Sequence, residues 1–122
     1  MARQRKTLAV EIGKRLARAR DALKMSQQDV ADALGITVEA YGSYERGWHV
    51  IPTENLIKVP DVLKMPITHF LGLPDPAGLT GDERMLLQIY RSIRSESIKQ
   101  FIREMAWSQH EVDRQLQTPQ TP

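Results

Sequence analysis

The chain has 122 residues, 41% of them hydrophobic and 26% charged. That is room for one compact domain with an appendage, and too apolar for a wholly disordered chain. The absence of cysteine excludes a disulfide framework and thiolate metal sites and fits a reducing compartment. His49, His69 and His110 lie too far apart in sequence for ligand spacing, so neither a metal nor a cofactor is expected. No apolar run approaches the ~20 residues that span a bilayer, and no signal-peptide core follows the basic start, so a membrane or secreted protein is not expected.

The net charge of +2 conceals an asymmetry. Residues 1–24 carry eight basic and two acidic side chains, residues 25–79 three and seven, and residues 80–122 six of each. A basic block on a nearly neutral chain points to a polyanionic partner, although a solvated helix face would have the same composition.

Residues 1–7 lack apolar periodicity and read as a basic flexible arm containing Arg3, Arg5 and Lys6. From Leu8 the apolar positions Leu8, Ile12, Leu16, Ala19 and Leu23 form an amphipathic stripe, predicting a helix over about 8–23. Ser26 and Asp29 fit a capping box that starts a short helix with Val30, Ala31 and Leu34 on its inner face. Gly35 ends it, Ile36 anchors the turn, and Thr37 caps a third helix from Val38 to about Arg46. Thr53 is the expected cap of a fourth helix carrying Leu56, Ile57, Val59 and Leu63, with Pro60 set to kink or shorten it. Pro66 opens a fifth with Phe70 and Leu71 inward. Residues 74–79 read as a linker. Thr80 and Glu83 begin another helix with Leu86, Leu87, Tyr90 and Ile93 on one side. Ser97 with Gln100 offers a further cap, followed by Ile98, Phe101, Ile102 and Met105. Residues 116–122 read as a disordered tail. No strand-like alternation occurs, so the expected fold is all-α: a five-helix domain over 8–73, then a helical hairpin or dimerisation segment over 80–115.

The informative stretch is 26–47, two short helices joined at Gly35-Ile36-Thr37. That is a helix-turn-helix layout, whose second helix enters a DNA major groove. Tyr41 and Tyr44 are expected to point inward, leaving Val38, Glu39, Gly42, Ser43 and Arg46 outward. No Ser/His/Asp set, Cys/His pair, metal cluster or phosphate loop is evident, so an enzyme is not expected.

On these residues the chain resembles the phage repressor/Cro-type helix-turn-helix (XRE) family. The resemblance rests on Gly13, Leu16, Arg20, Met25 to Ala31, Leu34 to Thr37, Tyr44 to Gly47, Pro52, Leu56, Leu63, Phe70 and Leu71. It implies base contacts from Thr37, Val38, Glu39, Gly42 and Ser43. It also implies phosphate contacts from Arg3, Arg5, Lys6, Gln27, Gln28, Arg46, Trp48 and His49, and a structural ion pair between Arg20 and Glu45. Many relatives carry glutamine or asparagine where this chain has Val38 and Glu39; glutamate can accept from cytosine N4 and valine can touch a thymine methyl. Pro60 is a second departure, since the family usually has alanine there.

The implied function is a sequence-specific transcriptional regulator, a dimeric repressor inserting helix 38–46 into a palindromic operator of double-stranded DNA. It would work in a bacterial or phage-encoded cytoplasmic setting, associated with the nucleoid. Dimerisation is assigned to Leu86, Leu87, Tyr90, Ile93, Ile98, Phe101, Ile102, Met105 and Trp107, because a helix pair of this size cannot bury its apolar faces alone. The alternative is an antitoxin or adaptor whose C-terminal helices bind a partner protein. A regulatory partner is expected in either case: an antirepressor, a protease or a toxin.

Overall fold

The computed structural model describes the backbone of residues 2–117 and the side chains of residues 8–117. All secondary structure in this range is helical. The first helix, α1, spans Ala2–Ala22. It therefore starts six residues before the expected boundary, running through the stretch read as an arm. Ala2, Arg3, Gln4, Arg5 and Lys6 are all good helix formers, and extending an existing helix costs far less than nucleating one. The side chains of Arg3, Arg5 and Lys6 lie outside the described residues. The buried stripe is Ala9, Ile12, Leu16 and Ala19, whereas Leu8 is half exposed, so the apolar face begins at Ala9.

The helices α2 (Gln27–Leu34) and α3 (Val38–Glu45) form as their capping residues dictate. Ser26 Oγ accepts from the Asp29 backbone N–H, and the Asp29 carboxylate accepts from Ser26 N–H, closing the box. The Ser26 backbone N–H, and after it the Ser26 hydroxyl, hold the Asp29 carboxyl below the usual range. Gly35 takes φ 74°, the left-handed turn that an L side chain resists, and its N–H returns to the end of α2. Thr37 Oγ1 accepts from Ala40 N–H at 3.1 Å to start α3.

The expected fourth helix is two short ones, α4 (Thr53–Leu56) and α5 (Val59–Leu63). Pro60 stands in the first turn of α5, where its missing N–H would have had no partner in the helix. Thr53 is the first helical residue and Pro52 the cap, so no side chain caps α4. The helix α6 covers Ile67–Leu71. Phe70 enters the core, but Leu71 is 37% exposed, because consecutive helical residues diverge by about 100° and cannot share one face. Leu16, Val30, Leu34, Tyr41, Val59, Leu63 and Phe70 are the deepest apolar side chains, drawn from α1, α2, α3, α5 and α6.

Next comes α7 (Gly81–Ser92), which starts with Thr80 and Glu83 in a second reciprocal cap. The division between compact units falls after Ser92, so α7 packs with the preceding helices and not beyond a linker at 74–79. Polar anchors hold it there. Gln88 is 1% exposed, and its Nε2 donates to Ala19 O at 2.9 Å and to Leu63 O at 2.8 Å. Arg84 makes a two-pronged pair with Asp75 at 2.6 and 2.7 Å. Replacing Gln88 with alanine strands two carbonyls and should cost about 1–3 kcal/mol, read as a lower urea midpoint and faster amide exchange in α7.

The last helix, α8 (Glu96–Gln117), belongs to the second unit and contains no buried residue. Its cap is Ser95, whose Oγ accepts from Ile98 N–H, and not Ser97. Leu116 and Gln117 close the helix, and the remaining residues of the expected tail lie outside the described range.

Candidate nucleic-acid interface

The α2–α3 pair is locked to α1 by a charged cluster. Arg20 reaches Glu45 through Nε at 2.7 Å and Nη2 at 3.1 Å, and its Nη1 donates to Met25 O at 2.9 Å. Only 17% of the Arg20 side chain and 6% of the Glu45 side chain meet solvent. Burial opposes ionisation of Glu45, but hydrogen bonds from Arg20 and Gln27, with the Tyr41 hydroxyl close by, outweigh it and hold its carboxyl below the ordinary value. The hydrogen bond to Glu45 in turn favours the charged form of Arg20 against its burial. Burial, then the Glu45 carboxylate, pushes the Tyr41 phenol far up. That hydroxyl has no well-aligned hydrogen bond among the described residues, yet it lies close enough to Glu45 to favour its ionised form.

Gln27 joins this cluster: its Nε2 donates to Glu45 Oε1 at 2.9 Å. One of its two amide N–H groups is therefore committed inside the protein. Gln28 Nε2 donates to Asp32 Oδ1 at 2.7 Å along the exposed side of α2.

On α3, Thr37 and Glu39 are exposed, while Val38 is half-buried and packs against the core. Gly42 and Ser43 are buried, contrary to the expectation that they stand outward. Ser43 Oγ donates to Ala40 O at 2.7 Å within its own helix. Its carbonyl accepts from the N–H of Trp48 and, at 3.4 Å, of His49, which folds the following loop back on the end of α3. A short hydroxyl in a helix readily bonds the preceding turn, so Ser43 is withdrawn from the reading face. Gly42 is covered by the Arg46 side chain, which lies 3.1–3.5 Å from where a Cβ would stand. Arg46 and Trp48 are exposed and stacked, the guanidinium carbon 4.3 Å from the ring centroid. His49 is exposed beside them. Tyr41 is fully buried and Tyr44 partly so, both against the core.

The residues assigned to an interface divide between the two units. On α7, Leu86 is exposed and Leu87 and Tyr90 are half-buried, and Ile93 in the connection is half-buried. On α8, Ile98, Phe101, Ile102, Met105 and Trp107 are all exposed. Met85, Ile89, Val112 and Leu116 are further exposed apolar residues that the sequence reading passed over. The seven-residue spacing of Ile98, Met105 and Val112 was the available signal for Val112. For Gln88 and Arg84 no sequence signal existed, since a polar side chain on an amphipathic helix reads as solvated. Among the described residues no cluster of potential metal ligands forms, and no helix is long and apolar enough to cross a membrane.

Comparison with known proteins agrees with this geometry. A helix-turn-helix family matches residues 16–70. The chain is 36% identical over 63 residues to the cryptic phage CTXphi transcriptional repressor RstR of Vibrio cholerae, covering 52% of this chain and 56% of that one. It is 30% identical over 73 residues to an HTH-type transcriptional regulator of Sinorhizobium medicae, covering 59% of this chain and 52% of that one. A regulator from Rhizobium meliloti matches to the same extent. The chain thus spans about half the length of these curated relatives. No solved structure matches significantly. Over residues 16–70 the chain is thus similar to the helix-turn-helix family and to named transcriptional regulators that carry it.

Proposed function

We propose that the protein is a sequence-specific DNA-binding transcriptional regulator, acting as a dimeric repressor that inserts α3 into the major groove of a palindromic operator. The observation that carries this reading is the pairing of two eight-residue helices across the Gly35 turn, with Thr37 and Glu39 exposed at the start of α3. A relative over this stretch is named as a phage transcriptional repressor, which supports repression over activation. Thr37, Val38 and Glu39 contact base edges. Gln27, Gln28, Trp48 and His49, with Arg3, Arg5 and Lys6, contact phosphates, where backbone and side-chain donors set the register. The second copy docks on the apolar side chains of α8. An amphipathic helix of 22 residues with none buried gains most of its stability by covering that face.

The test is selection of bound duplexes from a random pool at near-physiological salt, followed by sequencing. An enriched palindrome is expected, with Glu39→Gln changing the preferred base at one symmetric pair of positions. Binding that enriches nothing and vanishes as salt rises would reduce the activity to phosphate attraction. A chain ending at Ser92 keeps its first compact unit. It should sediment as a monomer and bind the selected operator at least about tenfold more weakly; a dimer of that fragment would move the interface away from α8.

A further inference from the structure

We infer that Arg46 reads a guanine in the major groove, and that Gly42 and Trp48 are the residues that position it. The inference rests on the regulator reading above and departs from the phosphate role that the family resemblance implies for Arg46.

Arg46 is the C-terminal cap of α3, and a long side chain there could extend into solvent and meet a phosphate as a mobile charge. It does not extend. The guanidinium folds back along the helix over Gly42, with Nη1 and Nη2 at 3.1 and 3.3 Å from the point where a Cβ at position 42 would stand. Val38, Gly42 and Arg46 fall at four-residue intervals, so the group lies on the stripe that continues from Val38, beside the exposed Glu39. Trp48 then stacks on it, at 4.3 Å from guanidinium carbon to ring centroid, although that ring is itself 69% exposed.

Each feature has a cost that a phosphate contact would not require. Glycine inside a helix costs about 1 kcal/mol relative to alanine, and here it leaves the space the guanidinium occupies. An exposed tryptophan leaves apolar surface in water, and here it fixes the plane of the cation. Stacking covers the faces of a guanidinium and leaves its in-plane N–H donors pointing outward. A phosphate accepts a charge from many directions. The N7 and O6 acceptors of guanine demand two parallel donors in one plane, which a stacked arginine supplies.

The experiment is the random-pool selection carried out on the full chain and on Arg46→Lys, Arg46→Ala, Gly42→Ala and Trp48→Leu. Salt titrations on the best site accompany it. The wild-type motif should hold a guanine at one symmetric pair of positions. Arg46→Lys keeps the charge and the salt slope but should lose at least about fivefold of the preference for that guanine. Gly42→Ala and Trp48→Leu should weaken the same preference at the same position, since both release the clamp. If Arg46→Lys selects the wild-type motif and Arg46→Ala weakens all sequences alike with a salt slope smaller by about one, the contact is to phosphate and the inference falls. A wild-type protein that selects no motif overturns this inference and the regulator reading together. A motif unchanged by Arg46→Lys overturns this inference alone.

Discussion

Glu45→Ala is expected to lower the stability of the N-terminal unit by about 3–5 kcal/mol, seen as a reduced urea midpoint at unchanged slope. The carboxylate accepts from Arg20 at two points and from Gln27, and lies against the buried Tyr41 phenol. Its removal leaves a guanidinium with 17% side-chain exposure and no buried counter-charge, its remaining partner being the solvent-exposed Asp21 carboxylate at 3.6 Å. Most of the loss is the cost of that uncompensated charge, so Arg20→Met together with Glu45→Leu should lose much less than the two single changes added. The pH dependence follows from the direction of the Glu45 shift. Its folded-state value lies below its ordinary 4.5, so its contribution is complete above 4.5 and is lost as pH falls through the folded value. Glu45→Gln should therefore flatten the acid limb of the stability profile below pH 4.5 and leave the neutral region without added slope. An unaltered acid limb would assign that limb to Asp29, Asp75 and Glu83, which are also held low.

Gly13→Ala is expected to cost about 1–3 kcal/mol and to weaken DNA binding beyond what the loss of folded protein explains. A Cβ at position 13 would stand 2.5 Å from the carbonyl oxygens of both Tyr44 and Glu45. These are backbone atoms at the end of α3, so no side-chain rotation relieves the clash and α1 must move away from α3. Arg20 on α1 and Glu45 on α3 would then meet in poorer geometry, which couples this site to the first prediction. The check is a thermal melt paired with operator titration under conditions where both proteins are fully folded. Equal affinity there would mean that α1 yields and α3 keeps its place. Gly13→Ser should behave like alanine, because the obstruction is at Cβ.

The two short helices of the binding unit were legible in the sequence because their signals are local. Ser26 with Asp29, Gly35 and Thr37 act on backbone groups within four residues, and they operate in the structure as they read in the chain. Gly13 and the Arg20–Glu45 pair were legible through family resemblance alone, because a close approach of backbones and a charge pair 25 residues apart leave no periodic mark. The start of α1 was misplaced because apolar periodicity reports burial, while helix formation there needs only propensity and an existing helix to extend. The Pro60 region became two helices with the proline at a permitted first-turn position, a choice between kinking and restarting that depends on what Val59 and Leu63 can bury.

The outer face of α3 was the least legible part of the site. Spacing put Gly42 and Ser43 outward beside Glu39, and on an isolated helix they would be. The loop after α3 folds back on the Ser43 carbonyl, and Arg46 lies over Gly42, so both positions are covered.

Local chemistry along the chain was sufficient for the helical class, the capped helix pair and the exposure of Glu39 on α3, since caps and turns depend on neighbours a few bonds away. Tertiary structure alone decided that α7 belongs to the first unit and that Arg46 is held against its own helix by Trp48. Gln88 illustrates the reason: its amide nitrogen bonds carbonyls 69 and 25 residues away. A polar side chain becomes an interior anchor only when folding delivers acceptors to it, and no pattern within a single helix records where those acceptors will be.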